Sequence, residues 1–190
     1  NSKKADDSKE VEKKVVIKAP EFSADSAYAY IQAQADFGPR VPNTQAHRDC
    51  GEYLAKQLEK FGAKVYNQYA DLTAWDGTVL KARNIIGAYK PESKKRVMLC
   101  AHWDSRPYAD YDADEKNHKK PIDGANDGAS GVGVLLEIAR QIQKEAPTVG
   151  IDIIFFDAED YGTPAWHRGT YKPHDWCLGS QYWGRTPHVQ

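Results

Sequence analysis

Residues 96–156 constrain the fold more than any other part of the chain. The segments 96–101 and 151–156 are largely continuous apolar runs, which is typical of strands that are covered on both faces. Between them, residues 128–144 carry apolar side chains at helical spacing, namely Val132, Leu135, Leu136, Ile138, Ala139 and Ile142. The order strand, long loop, helix, strand predicts a β–α–β crossover, and therefore an α/β fold in which helices cover a sheet with parallel strands.

Two helices and two strands are predicted before this crossover. Residues 22–36 have helical periodicity with Ser23 as a possible cap, and residues 45–61 have an apolar face that ends at Gly62. Residues 64–69 and 79–89 have strand character. Since there is no internal repeat and no linker, we expect a single domain over residues 20–190, preceded by a flexible charged tail over residues 1–19.

Composition excludes two classes of partner. The 190 residues contain 26 Lys and Arg against 27 Asp and Glu, which leaves a formal net charge of -1. Such a balance gives no electrostatic reason to bind nucleic acid or an anionic membrane surface. No stretch approaches the roughly 18 apolar residues that a membrane span needs.

The three cysteines do not form a disulfide framework or a cysteine zinc site, and Cys100, at the end of an apolar run, is expected to be buried.

The first residues indicate export. Residues 1–14 are rich in Lys, Asp, Glu and Ser, and the chain starts at Asn1 rather than at a methionine. Such a segment resembles the solvated tether that follows the cleavage site of an exported protein or lipoprotein. The resulting hypothesis is an exported protein that is periplasmic or lipid-anchored.

Polar residues follow both strands of the crossover. His102 and Asp104 come directly after the first strand, Glu159 and Asp160 come after the second, and Asp127 precedes the helix between them. Ligands of parallel α/β sheets bind beyond the carboxyl ends of the strands. Imidazole and carboxylate groups suit zinc, and clustered carboxylates need a cation or a proton to offset their repulsion.

Each of these features alone also has an ordinary structural interpretation. A histidine can be the partner of a nearby carboxylate, an aspartate before a helix is usually an N-cap, and Glu-Asp after a strand is often a solvated loop. Their appearance together at the strand ends favours a metal site. In it, Asp104 could fix the tautomer of His102, while one acid of the pair binds the metal and the other acts as base or acid.

Several motifs extend this interpretation to a family. The segments 97–105, 124–132, 155–160 and 178–180, and also 37–42, resemble ordered motifs of the zinc aminopeptidase and glutaminyl cyclase superfamily. The resemblance covers roughly residues 20–185. It implies a three-layer α/β/α sandwich with a mixed, largely parallel central sheet. It also implies that this chain is the N-terminal part of the domain, with a final metal-ligand histidine expected beyond Gln190.

The superfamily carries two main chemistries. The aminopeptidases resemble two-zinc hydrolases, in which His102, Asp127 and Asp160 would be ligands and Glu159 would activate a water molecule. The glutaminyl cyclases bind one zinc, here through Asp127, Asp160 and the later histidine. In that case Glu159 would move a proton while the N-terminal amine of a peptide or protein attacks its own glutamine side chain, and His102 with Asp104 would lie beside the metal.

The wording of the motifs is closest to that of the bacterial glutaminyl cyclases. The acidic pair is Glu159-Asp160 where aminopeptidases usually carry Glu-Glu, and the segment 161–177 is longer than in those enzymes. We expect Trp103, Trp166 and Trp176 to form an aromatic wall for the glutamine side chain, although such residues can also simply pack a loop. An aminopeptidase and a non-catalytic binding module are the two alternatives.

Overall fold

The computed structural model describes residues 19–170 and 172–188 of the chain. The predicted tail over residues 1–19 therefore lies outside the described residues, except for Ala19. The elements are α1 (Ala24–Ala35), α2 (Gln45–Lys60), β1 (Lys64–Thr73), β2 (Val79–Tyr89), β3 (Arg96–His102), α3 (Ala129–Lys144), β4 (Gly150–Phe156) and α4 (Leu178–Arg185). Short 3-10 helices lie at Glu115–Asn117 and Pro173–Asp175.

The four strands form one mixed sheet in the order β1-β2-β4-β3. β1 pairs with β2 and β2 pairs with β4 in antiparallel fashion, whereas β3 and β4 are parallel. The predicted β–α–β crossover is thus confirmed as β3–α3–β4. Its register places His102 opposite Phe156, so the segments that follow the two strands leave the sheet side by side.

Helices cover both faces of the sheet. On one face, α2 and α3 enclose the main core, and α1 packs against α3. On the other face, α4 packs on β1 and β2, with apolar contacts from Leu178, Tyr182 and Trp183. Alternate residues of β4 enter the two cores, as Ile153 and Ile154 do. The predicted three-layer α/β/α arrangement is confirmed.

The prediction for β3 was wrong in one respect. Val97 and Met98 are 47% and 49% exposed, and Cys100 is exposed as well, although we expected this strand to be covered on both faces and Cys100 to be buried. The reason is that β3 is the outermost strand of the described sheet, while α4 covers β1 and β2. An apolar run therefore predicted the strand correctly but not its place in the sheet.

α1 and α2 each begin after a capping residue whose hydroxyl accepts a backbone hydrogen bond. The Ser23 hydroxyl accepts a hydrogen bond from the Ser26 N–H, and the Thr44 hydroxyl accepts one from the His47 N–H. α4 was not predicted, because it has only eight residues and its N-cap, Cys177, makes no capping hydrogen bond.

Over the described ranges, no helix is both long and apolar enough to span a membrane.

A buried carboxylate joins α1 to α3. Glu137 accepts hydrogen bonds from the Ser23 N–H at 2.9 Å, from the Arg140 guanidinium at 2.6 and 2.8 Å and from the Gln141 amide at 2.5 Å. Burial opposes ionisation of Glu137, but these donors outweigh it and lower its pKa to about 2. The charged carboxylate therefore stabilises the contact between the two helices.

Replacing Glu137 should make the fold less stable in a pH-dependent way. Because the pKa is lowered in the folded state, the carboxylate stabilises the fold above its usual pKa of 4.5, and this contribution is lost as the pH falls towards 2. Glu137→Gln should lower the free energy of unfolding by about 1–3 kcal/mol at pH 7, since buried donors lose a charged partner. Urea titrations should show the difference from wild type shrinking below pH 4.5.

The exposed Glu145, at the end of the same helix, provides the matched control. Glu145→Gln should change the free energy of unfolding by less than about 0.5 kcal/mol at either pH. A Glu137→Gln deficit that stays constant from pH 7 to pH 3 would show that the charge of this carboxylate is not what stabilises the helix pair.

Candidate active site

The ends of β3 and β4 bring the predicted polar residues together. Nε2 of His102 lies 2.9 Å from Oδ1 of Asp127. Nδ1 of His102 lies 3.4 Å from Oδ1 of Asp104 and 3.9 Å from Oε2 of Glu159. Residues that are up to 57 positions apart in sequence thus lie around one imidazole ring.

Asp104 holds the acidic pair. Its fully buried carboxylate accepts the Glu159 N–H at Oδ1 and the Asp160 N–H at Oδ2, each at 3.1 Å. The distance of 3.4 Å to Nδ1 of His102 exceeds the usual range for an N–H···O hydrogen bond. Asp104 was expected to orient His102, but its hydrogen bonds are instead with the backbone of the two acids.

Asp127 is available as a ligand because it does not cap α3. The N-cap is Gly128, with φ of 92°, and no side chain caps the helix. A Cβ at this glycine would lie 2.8 Å from the Asp104 carbonyl oxygen, so both the conformation and the space require glycine. The Asp127 carboxylate is 64% exposed and lines the same cavity as Asp160. The structural alternative of an N-cap is therefore not realised.

The two acids of the pair have different surroundings. Asp160 is buried, and burial together with the neighbouring Asp104 raises its pKa to about 7 despite the Arg106 guanidinium. Its Oδ1 lies 3.3 Å from Nη1 of Arg106, while its Oδ2 is buried without a hydrogen-bond partner. Glu159 is 31% exposed, and its Oε1 accepts a hydrogen bond from the Cys177 thiol at 3.3 Å.

The first residues of α4 fix the loop that carries the acidic pair. Ala158 has a left-handed backbone with φ of 51°, which turns the chain sharply before Glu159. The free N–H groups at the helix start donate to three successive carbonyl oxygens of this loop: Cys177 to Glu159 at 3.0 Å, Leu178 to Ala158 at 3.0 Å and Gly179 to Asp157 at 3.1 Å. The short helix α4, which the sequence periodicity did not predict, thus holds the loop of the two acids in place.

Arg40 connects the other two segments of the site. Its fully buried guanidinium donates to the carbonyl oxygens of Trp103 at 3.2 Å, Asp123 at 2.6 Å and Gly124 at 2.9 Å. It thereby ties the His102 segment to the loop that leads to Asp127. The sequence indicated this residue only through the motif over residues 37–42, since its partners lie more than 60 positions away.

The three tryptophans expected to form an aromatic wall lie in different places. Trp176 lines a cavity of about 430 Å³ together with Asp127 and Asp160. Trp166 contacts the cavity residue Tyr108 edge to face, with 5.1 Å between ring centroids.

The prediction for Trp103 is contradicted by its burial. Its ring is fully buried, stacks on His47 at 4.3 Å between ring centroids and donates to the Arg83 carbonyl oxygen at 3.1 Å. Trp103 therefore supports the core beneath the site and does not contact the cavity.

The donor atoms fit a cation. Two buried atoms in the site, Oδ2 of Asp160 and Nδ1 of His102, have no hydrogen-bond partner. The surrounding carboxylates favour a positive charge at this place. Burial opposes the charge on His102, but Asp104, Glu159 and Asp127 outweigh it and raise the pKa of His102 to about 9. Across residues 19–170 and 172–188, no three His, Cys, Asp or Glu side chains are arranged to hold one metal ion. Asp127 and Asp160, the two candidate ligands, line the same cavity.

Arg40→Lys should destabilise the fold. A lysine retains the charge but cannot donate to three carbonyl oxygens in the directions of the guanidinium fork, so buried acceptors lose partners. We expect the free energy of unfolding to fall by about 2–4 kcal/mol in urea titrations. Arg48→Lys on the exposed face of α2 is the matched control, with an expected change below about 0.5 kcal/mol. Equal effects of the two substitutions would contradict the role assigned to Arg40.

Three solved structures are similar to this chain over the described fold. Glutaminyl cyclase of Bacteroides thetaiotaomicron, bound to N-acetylhistamine, is 70% identical with a TM-score of 0.90, covering 91% of this chain and 59% of that chain. A leucine aminopeptidase precursor from the same species is 70% identical with a TM-score of 0.91, covering 92% and 60%. A Zn-dependent exopeptidase from Parabacteroides distasonis is 65% identical with a TM-score of 0.88, covering 90% and 58%.

The chain thus spans between 58% and 60% of the length of these relatives. The model of peptidase family M28 matches residues 84–190, which is more than half of the chain. This match includes the site from His102 to Asp160, and the relatives include a bacterial glutaminyl cyclase, so the resemblance inferred from the motifs is confirmed. The chain belongs to peptidase family M28.

Proposed function

We propose that the full-length protein is a zinc-dependent glutaminyl-peptide cyclotransferase, which converts N-terminal glutamine of peptides or proteins to pyroglutamate and releases ammonia. The observation that carries the division of roles between ligand and proton carrier is the unequal environment of the acidic pair. Asp160 is buried with one free oxygen, as a ligand would be, whereas Glu159 is partly exposed and its Oε2 lies 3.9 Å from Nδ1 of His102, beyond hydrogen-bonding distance. The similarity to a glutaminyl cyclase at 70% identity supports it.

One zinc ion would be held by Asp127 and Asp160 together with a histidine outside the described residues. Carboxylate and imidazole ligands suit zinc, and a catalytic site of this kind leaves one position open. A bound zinc supplies Lewis-acid polarisation of the glutamine side-chain carbonyl. Its positive charge would also offset the burial and the carboxylate repulsion that together raise the pKa of Asp160.

Glu159 would move the proton. The α-amine nitrogen of the substrate forms a bond to the side-chain amide carbon, and the bond from that carbon to the amide nitrogen breaks. Glu159 takes a proton from the attacking amine and gives it to the departing nitrogen, which leaves as ammonia. Because the Cys177 thiol occupies only Oε1, the other oxygen of Glu159 is free for this transfer.

The cavity beside the acids would hold the glutamine side chain. It has about 430 Å³ and is lined by Trp176, Tyr108 and Ile122 as well as by the acids. Aromatic and apolar walls with a few polar groups suit a neutral side chain that must bend towards its own amine.

We further propose that the protein is exported, which the charged opening segment and the precursor status of a relative support.

A zinc aminopeptidase is the second candidate. It is favoured by the contact of 2.9 Å between Nε2 of His102 and Asp127, since two neighbouring donors could share a second metal. The similarity to a leucine aminopeptidase precursor supports it too. This alternative requires His102 as a ligand and two metal ions for each site.

Turnover of defined peptides separates these functions. Full-length protein should release ammonia from peptides that begin with glutamine, and mass spectrometry should show the corresponding loss from an otherwise intact peptide. Release of free amino acids instead would overturn the cyclase and support the aminopeptidase. A protein that gives neither product would support the non-catalytic binding module.

Glu159→Gln should abolish turnover while leaving zinc bound. The substitution removes the proton acceptor but keeps a side chain of similar size, and general acid–base catalysis typically contributes 10²- to 10⁴-fold. We expect kcat to fall by about that factor. Metal analysis of the same preparation should show unchanged zinc, whereas Asp160→Ala should lose it. Loss of zinc in Glu159→Gln would contradict the roles given to the two acids.

His102→Ala separates the one-zinc from the two-zinc site. In the cyclase, zinc content should remain at one ion for each chain, because Asp127 and Asp160 are retained. In the aminopeptidase, content should fall, because a ligand is removed. Inductively coupled plasma mass spectrometry of protein dialysed against zinc-free buffer provides this measurement.

A further inference from the structure

Arg106 lies buried between the acidic pair and the segment that carries Trp176. Its Nη1 donates to the carbonyl oxygen of Asp160 at 3.1 Å and lies 3.3 Å from Oδ1 of the same residue. Its Nε and Nη2 donate to the two carboxylate oxygens of Asp110 at 2.7 and 2.5 Å. Because both Arg106 and Asp110 are buried, this bidentate pair fixes the guanidinium in one orientation.

The same guanidinium supports one wall of the cavity. Its central carbon lies 4.7 Å from the ring centroid of Trp176, a favourable cation–π distance. Asp110 in turn accepts the Ala165 N–H at 2.8 Å, which attaches the preceding part of the 161–177 segment to the same pair. One buried cation therefore contacts a candidate metal ligand and a candidate substrate-binding ring.

We propose that Arg106 is a positioning residue, which holds Asp160 with Oδ2 turned to the metal and holds Trp176 at the cavity wall. This inference rests on the proposed function. Occupation of Oδ1 by the guanidinium leaves Oδ2 as the one oxygen of Asp160 without a partner. Asp160 thus presents a single, fixed donor atom, and the glutamine side chain meets a ring in a fixed place.

Charge and geometry act in opposite directions here. A cation 3.3 Å from a ligand carboxylate repels a metal ion, so the charge of Arg106 alone would weaken zinc binding. The fixed orientation favours zinc binding, because the carboxylate does not have to be ordered when the metal enters. Arg106→Lys separates these effects, since lysine keeps the charge but loses the planar fork that contacts Asp110 and Asp160 together.

Zinc affinity of the full-length protein should therefore fall in Arg106→Lys by about 10- to 100-fold, the usual effect of removing a residue that orients a metal ligand. Competition with a chromophoric chelator measures this without turnover. With zinc saturating, KM for a glutamine-initiated peptide should rise several-fold more than kcat falls, because Trp176 loses its support. A purely structural role would lower stability without changing zinc affinity in the folded protein.

Arg96→Lys is the matched control. Arg96 also makes a bidentate pair, with Asp152 at 2.7 and 2.6 Å, but it lies at the opposite end of β3 from the site. Its zinc affinity and KM should stay within about twofold of wild type. Asp110→Asn keeps Arg106 but weakens the ion pair that orients it, and should therefore also reduce zinc affinity. If Arg106→Lys does not fold, Asp110→Asn is the variant that tests the positioning role.

The outcomes separate this inference from the proposed function. Unchanged zinc affinity in Arg106→Lys, or in Asp110→Asn if that variant has to decide, overturns the positioning role while leaving the cyclase intact. Weaker zinc in Arg96→Lys to the same degree also overturns it, because any lost ion pair would then suffice. Wild-type protein that binds no zinc overturns the proposed function, and the inference with it.

Discussion

The arrangement of the site depends on the buried carboxylate of Asp104. It follows β3 and accepts the backbone N–H groups of Glu159 and Asp160, which follow β4. A buried carboxylate needs hydrogen bonds, and here the backbone of the acidic pair provides them. Parallel pairing of β3 and β4 brings the strand ends level, and Asp104 then fixes the two acids relative to His102. The first residues of α4 hold the carbonyl oxygens of the same loop, and the two sets of contacts together place Glu159 beside the imidazole.

The gathering of several carboxylates at one place has an electrostatic cost. Asp104, Asp127, Glu159 and Asp160 concentrate negative charge. Burial together with this charge raises the pKa of Asp160 to about 7, and the charge outweighs burial and raises the pKa of His102 to about 9. Arg106, which lines the same cavity, offsets part of this charge, and Arg40 stabilises the backbone of the site rather than its carboxylates. A divalent metal ion on the open side would complete the compensation, and carboxylate and imidazole groups are ligands that suit zinc.

The sequence predicted the crossover with its helix α3, the helices α1 and α2, and the meeting of five polar residues near the strand ends. Each of these depends on local periodicity or on the end of a strand. It could not predict the exposure of Val97 and Met98, since an apolar run does not reveal which strand lies outermost. Nor could it predict that Trp103 is fully buried, or that Arg40 and Arg106 organise the site, because their contacts with Arg83, Gly124 and Asp160 join positions 20, 84 and 54 apart. Side-chain direction and long-range hydrogen bonds leave no local pattern.

The most direct test of one metal held by Asp127 and Asp160 is a crystal structure of zinc-loaded full-length protein, with anomalous diffraction at the zinc edge. One peak for each chain, bonded to Asp127 and to Oδ2 of Asp160, with Arg106 still at Oδ1, is the predicted result. Two peaks in the site, with His102 bonded to one of them, would contradict the account and establish the metal arrangement of the aminopeptidase alternative.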